Sequence, residues 1–177
     1  PDIQAMARSM VDRGAKAIVM EVSSIALSEH RVDGVVFDIA VFTGLSHDHL
    51  DYHETMDAYF SAKVELFAGE RSRRGVVLID DEWGEGLARE SVIPVETVST
   101  AGKAANWNMT AVDGAWVLTD GVDSCNLRTP VGADFVVANA AVAIVAALRV
   151  GVPLDVAADA TETASIPGRM ELVGHCL

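Results

Sequence analysis

The chain has 177 residues, half of them hydrophobic, with 13 basic and 26 acidic side chains for a formal charge of −13. That is enough apolar material for one domain with a substantial core, and it excludes a disordered chain. Such acidity excludes general binding to nucleic acid or anionic membranes, but not a phosphate ligand held locally by a few arginines and a metal ion.

"IQAMARSMVDRG" places Ile3, Met6, Ala7, Met10 and Val11 on one helical face, and Gly14 can end that helix. "KAIVMEV" (16–22) then reads as a buried strand carrying Glu21 near its end, and "SS" opens a short helix. "FDIAVFTGLS" (37–46) reads as a second strand opening into a loop at Gly44. "TMDAYFSAKVELFAGE" (55–70) is a helix with Met56, Tyr59, Phe60 and Phe67 on its apolar side. "GVVLID" (75–80) is a strand, "EWGEGLARES" a short helix and "PVETVS" another strand. From 101 to 132, alternation between Gly and Asp turns predicts short antiparallel strands. Helices follow at about 134–150 and 154–164, separated by Gly151 and Pro153. The first contains the longest apolar run, "FVVANAAVAIVAALRV", which Asn139 and Arg149 interrupt short of the roughly 18 residues of a membrane span. The expected fold is α/β: a mainly parallel sheet flanked by helices, with a small antiparallel addition. Cys125 and Cys176 lack metal-type spacing and read as free thiols of a reducing compartment.

Three features carry chemistry. Glu21 ends an apolar strand, where a carboxylate is costly to bury alone. Position alone favours a carboxylate capping the next short helix over a metal ligand. "LSHDHLDYH" (45–53) puts His47, His49, Asp51 and His53 just beyond a strand's carboxyl end, where open α/β sheets hold ligands. It resembles the HxHxDH motif of metallo-β-lactamase-like hydrolases, except that Tyr52 separates Asp51 from His53. Lys63 sits near the apolar side of its helix, where the ordinary role is snorkelling to solvent. Beside a metal it would first have to lose its positive charge.

Together these residues resemble a known family. "MEVSSIALSEHRVDGVVFDIAVFTGLSHDHLDYHETMDAYFSAKVELF" (20–67) is similar to the central, ATP-binding domain of the Mur ligases, and "IPGRMELV" (166–173) to the segment that closes it. EVSS, HRV, DHLDYH and the AK–LF element occur in order, and they favour the MurE branch, the tripeptide-forming ligases of peptidoglycan synthesis. The resemblance implies that Glu21, His49 and Lys63, spaced by 28 and 14 residues, act together as catalytic and metal-binding groups. Lys63 would be carbamylated by carbon dioxide, giving an anionic oxygen ligand suited to magnesium. Asp48 and Asp51 are expected to orient His49. His47 falls at a variable position of the family.

The implied reaction is ATP-dependent. The D-glutamate carboxylate of UDP-MurNAc-L-Ala-D-Glu is phosphorylated, and the amino group of a free amino acid, meso-diaminopimelate before L-lysine, displaces phosphate. Ser23, Glu29 and Arg31 match positions that contact the UDP-MurNAc-peptide, and Asn139 and Arg169 match positions that face the nucleotide. Ile25, Glu29, Gly44 and Val136 depart from the branch's usual histidine, glutamine, asparagine and asparagine. No GxxGKT phosphate loop occurs in the chain. Residues 1–177 are therefore expected to be a partial central domain, inactive alone, of a cytoplasmic ligase that is monomeric at full length, without membrane insertion or nucleic-acid partner. The competing expectations are a metal-dependent hydrolase built on His47, His49, Asp51 and His53, which would bind zinc and need no Lys63, and a non-catalytic remnant of the fold.

Overall fold

The computed structural model describes residues 2–164. Six strands form one sheet whose spatial order is the chain order: β1 (Phe37–Phe42), β2 (Ser72–Leu78), β3 (Val95–Ser99), β4 (Trp107–Val112), β5 (Ala115–Thr119) and β6 (Ser124–Leu127). β1 to β4 pair in parallel, and β4, β5 and β6 form an antiparallel meander. The expected α/β architecture with its antiparallel addition is what the chain adopts.

Side-chain alternation along β2 explains the layering. Val76 and Leu78 point to one face, where they join Val98, Trp107, Met109, Leu118 and Leu127 beneath α6 (Asp134–Arg149). Val77 and its neighbour Ile79 point to the other, where Ala40, Phe42, Phe67, Leu87 and Ile93 meet. α4 (Met56–Val64), a 3-10 turn (Glu65–Phe67) and α5 (Glu82–Glu90) cover that second face. A parallel strand buried on both faces reads as a continuous apolar run, as "GVVLI" does. α7 (Leu154–Thr163) packs beside α6 and β6.

Two glycines are required by the backbone. A Cβ on Gly84 would lie 1.9 Å from the Leu78 carbonyl oxygen, so only glycine lets α5 sit this close to the end of β2. Gly44 has φ of 115°, in the loop that leaves β1.

The N-terminal region differs from expectation. α1 (Asp2–Asp12) forms as its periodicity predicts, but none of its residues is buried, and Met6 and Val11 are exposed. Residues 16–22 join no ladder, and Val19 is 96% exposed. The apolar run encodes a preference for burial and extended backbone, but pairing needs a partner strand, and none among the described residues lies beside it. β2 begins earlier than predicted because Arg73 and Arg74, exposed on its outer end, mask the strand signal. Among the described residues, no helix is long and apolar enough to cross a membrane.

Candidate functional site

The site gathers where the loop leaving β1 meets α2 (Ser24–Ser28), α3 (Leu50–His53) and α4. Ser23, not Glu21, caps α2: its hydroxyl accepts the Ala26 N–H at 3.1 Å. Glu21 is exposed just before that cap and is free for another role. Thr55 likewise caps α4 through the Ala58 N–H.

α3 is a single turn with left-handed residues at both ends, His49 at φ 54° and Glu54 at φ 63°. A left-handed non-glycine residue costs about 1–2 kcal/mol, and such residues concentrate where geometry serves function. Asp48 accepts the His49 backbone N–H at 2.8 Å, and its carboxylate lies 3.7 Å from His49 Nδ1. The expected pairing of Asp48 with His49 is therefore present. Asp51 is exposed, and no hydrogen bond joins it to His49 among the described residues.

Tyr59, a buried residue of α4, is the centre of the cluster. The edge of its ring meets the His49 ring at 5.7 Å, its face stacks on His53 at 5.4 Å, and Lys63 Nζ lies 5.3 Å from its centroid. Sequence patterning assigns Tyr59 only to an apolar face. Its position one turn before Lys63 is the signal that ties it to the site. Burial lowers the Lys63 pKa from the ordinary lysine value, and the negative charges of Glu21 and then Asp48 partly oppose that shift. His49 and Lys63 thus share contact with one ring, and Glu21 enters only through its charge acting on the half-buried amine. Burial also raises the Tyr59 pKa, with Asp48 adding to the effect, so the phenol stays protonated at neutral pH.

The histidine cluster does not assemble as a hydrolase centre. His47 is exposed, while His53 turns inward to a 2.9 Å hydrogen bond with Ser24 Oγ. Among the described residues, no three His, Cys, Asp or Glu side chains group as metal ligands.

The remaining expected residues lie further out. Ser23 is occupied as the helix cap. Arg31 and Glu29, both exposed, pair with each other, so an anionic ligand at Arg31 would compete with Glu29. Asn139 is exposed on the second turn of α6. Arg169 and Cys176 lie outside the described residues.

The Mur ligase middle domain family matches residues 1–147. The chain belongs to the Mur ligases. It is 43% identical over 182 residues to a UDP-N-acetylmuramyl-tripeptide synthetase of Leifsonia xyli subsp. xyli, covering 96% of this chain and 35% of that protein. Against a UDP-N-acetylmuramoyl-L-alanyl-D-glutamate–2,6-diaminopimelate ligase of Streptomyces coelicolor it is 43% identical over 180 residues, covering 97% of this chain and 36% of that protein. A solved structure of a ligase of that second name superposes with a TM-score of 0.87 at 27% identity, over 99% of this chain and 38% of the other. The chain spans about a third of the length of the curated relatives it matches. In this Mur ligase domain the cluster around Tyr59 lies at the end of the sheet where α/β folds place their ligands.

Proposed function

We propose that the full-length protein is an ATP-dependent ligase that adds an amino acid, meso-diaminopimelate in preference to L-lysine, to UDP-MurNAc-L-Ala-D-Glu in the cytoplasm. Residues 1–177 would form part of its central domain. The relatives' names supply the substrate class, and one observation carries the chemistry: Lys63 is a half-buried amine with a lowered pKa, subject to the charges of Glu21 and Asp48, over the same Tyr59 ring that His49 meets.

The neutral amine is the form that adds carbon dioxide. The ammonium first gives up one proton; the neutral amine then forms a nitrogen–carbon bond as a carbon–oxygen π bond of carbon dioxide opens, and a second proton leaves the nitrogen, so a cation becomes an anionic carbamate. Burial favours the neutral amine. Of two magnesium ions, Glu21 would serve one, and His49 with the carbamylated Lys63 the other; the carboxylate and carbamate oxygens are the donors that suit magnesium. Bound magnesium would offset negative charge on the phosphoryl group as it moves from ATP to the D-glutamate carboxylate. Asp48 would hold His49 in its left-handed conformation through the backbone N–H. The amino group of the incoming amino acid would then attack the acyl-phosphate carbonyl carbon, and phosphate would leave.

Arg31 would take the anionic precursor by exchanging Glu29 for it, with Ser23 beside it, and the exposed Asn139 would face the nucleotide together with Arg169. The test is ADP release by the full-length protein with magnesium, bicarbonate and the precursor, adding diaminopimelate or lysine. Release that needs both precursor and one amino acid, and that falls steeply in Lys63→Ala, is expected. Equal release by wild type and variant would remove Lys63 from the reaction.

A further inference from the structure

The three proposed ligands come from three separate segments, and beside their apolar packing one buried polar contact ties two of those segments together. Ser24 is fully buried and His53 nearly so, and their 2.9 Å contact is the one side chain–side chain hydrogen bond of the described residues in which both groups are buried. Ser24 is the first residue of α2, three residues after Glu21. His53 is the last residue of α3, four after His49, and its backbone N–H donates to the His49 carbonyl at 3.0 Å. The same imidazole stacks on Tyr59, which stands one turn before Lys63.

We infer that the Ser24–His53 hydrogen bond is a strut that positions Glu21 relative to His49 and Lys63, making Ser24 and His53 positioning residues for a divalent cation. The inference rests on the proposed metal-binding role of those three residues. Each end of the strut is rigidly tied to a ligand-bearing segment: the Ser23 cap fixes the start of α2, and the two left-handed residues fix α3. Losing either partner leaves a buried polar group unpaired, so the segments must shift to rehydrate it. The ligands would move with them.

The experiment uses the full-length protein and manganese(II) as the probe, with binding followed by electron paramagnetic resonance. Ser24→Ala and His53→Met are each expected to weaken manganese binding about tenfold, the usual cost of losing a group that orients a ligand. The double variant is expected to be no weaker than either single one. His53→Gln, which keeps a nitrogen at similar reach, should recover most of the affinity. In turnover the variants should raise the magnesium requirement while leaving the amino-acid KM unchanged. Unchanged manganese binding in Ser24→Ala, with only a lower Tm, would reduce the strut to a packing contact, and additive losses would show two unconnected residues. Should His53→Met fail to fold, Ser24→Ala alone decides, because it removes a single oxygen. Absence of ligase activity in the wild type would overturn the proposed reaction, while the manganese arm still decides the strut.

Discussion

The face beneath α6 and the cluster around Tyr59 are built on opposite principles. α6 buries Val137, Ala138, Ala141, Val142, Ile144 and Val145 against the sheet, without a polar contact among them. α3 and α4 together fully bury only His53, Tyr59 and Ala62; Phe60 and Val64 add partly buried contacts to the second sheet face, and the cluster is held by the Ser24–His53 hydrogen bond, the Thr55 cap, ring contacts and left-handed backbone. One region supplies stability by area; the other supplies geometry by a few directed contacts. Changes in the first should move the melting transition and leave each folded molecule competent. Changes in the second should do the reverse.

The sharpest test of the first region is Trp107→Ala. Trp107 is fully buried in the α6 core and donates its indole N–H to Glu96 at 3.2 Å. A loss of about 3–5 kcal/mol is expected in denaturant unfolding, with unchanged metal affinity in the folded fraction. Lys63→Ala is its counterpart. It should lower turnover by about two to three powers of ten through lost charge stabilisation, with the melting curve nearly unchanged. A large drop in Tm for that variant would mean that the two regions share their stability.

A smaller effect is expected where the core meets solvent. Arg149, at the end of α6, forks onto Glu96 of β3, and this hydrogen bonding raises the arginine's pKa. Glu96→Gln should cost about 1–3 kcal/mol in urea unfolding without altering manganese binding. The smallest effect concerns Asp120, in the turn joining β5 to β6. N–H donors from Asp123 and Val122 lower its pKa, so its charged form is favoured in the folded chain. Its contribution is present above the ordinary carboxylate pKa and is lost as pH falls through the lowered value. The Tm difference between wild type and Asp120→Asn should therefore shrink on acidification. A difference that grew instead would reverse the sign.

The same contrast explains what could be read from the sequence. Strands β2 and β3 and helix α6 were legible because burial on one or two faces writes itself into local periodicity. Residues 16–22 were misread as a paired strand because an apolar run records a preference and not a partner. Glu21, His49 and Lys63 were singled out by their spacing within a resemblance. Local pattern does not determine how these three sit relative to one another, since that depends on how α2, α3 and α4 pack. Ser24 was legible only as the start of a helix, and Tyr59 only as an apolar position. Their contacts arise from tertiary structure that no window of a few residues encodes.

The sheet's spatial order equals its chain order. Every described strand therefore pairs with its neighbour along the chain, and no described strand is inserted between two earlier ones. The meander from β4 to β6 closes through short turns, while each parallel pairing waits for a crossover. During synthesis such a sheet can lengthen one strand at a time as the chain emerges, each new strand adding to an edge already formed.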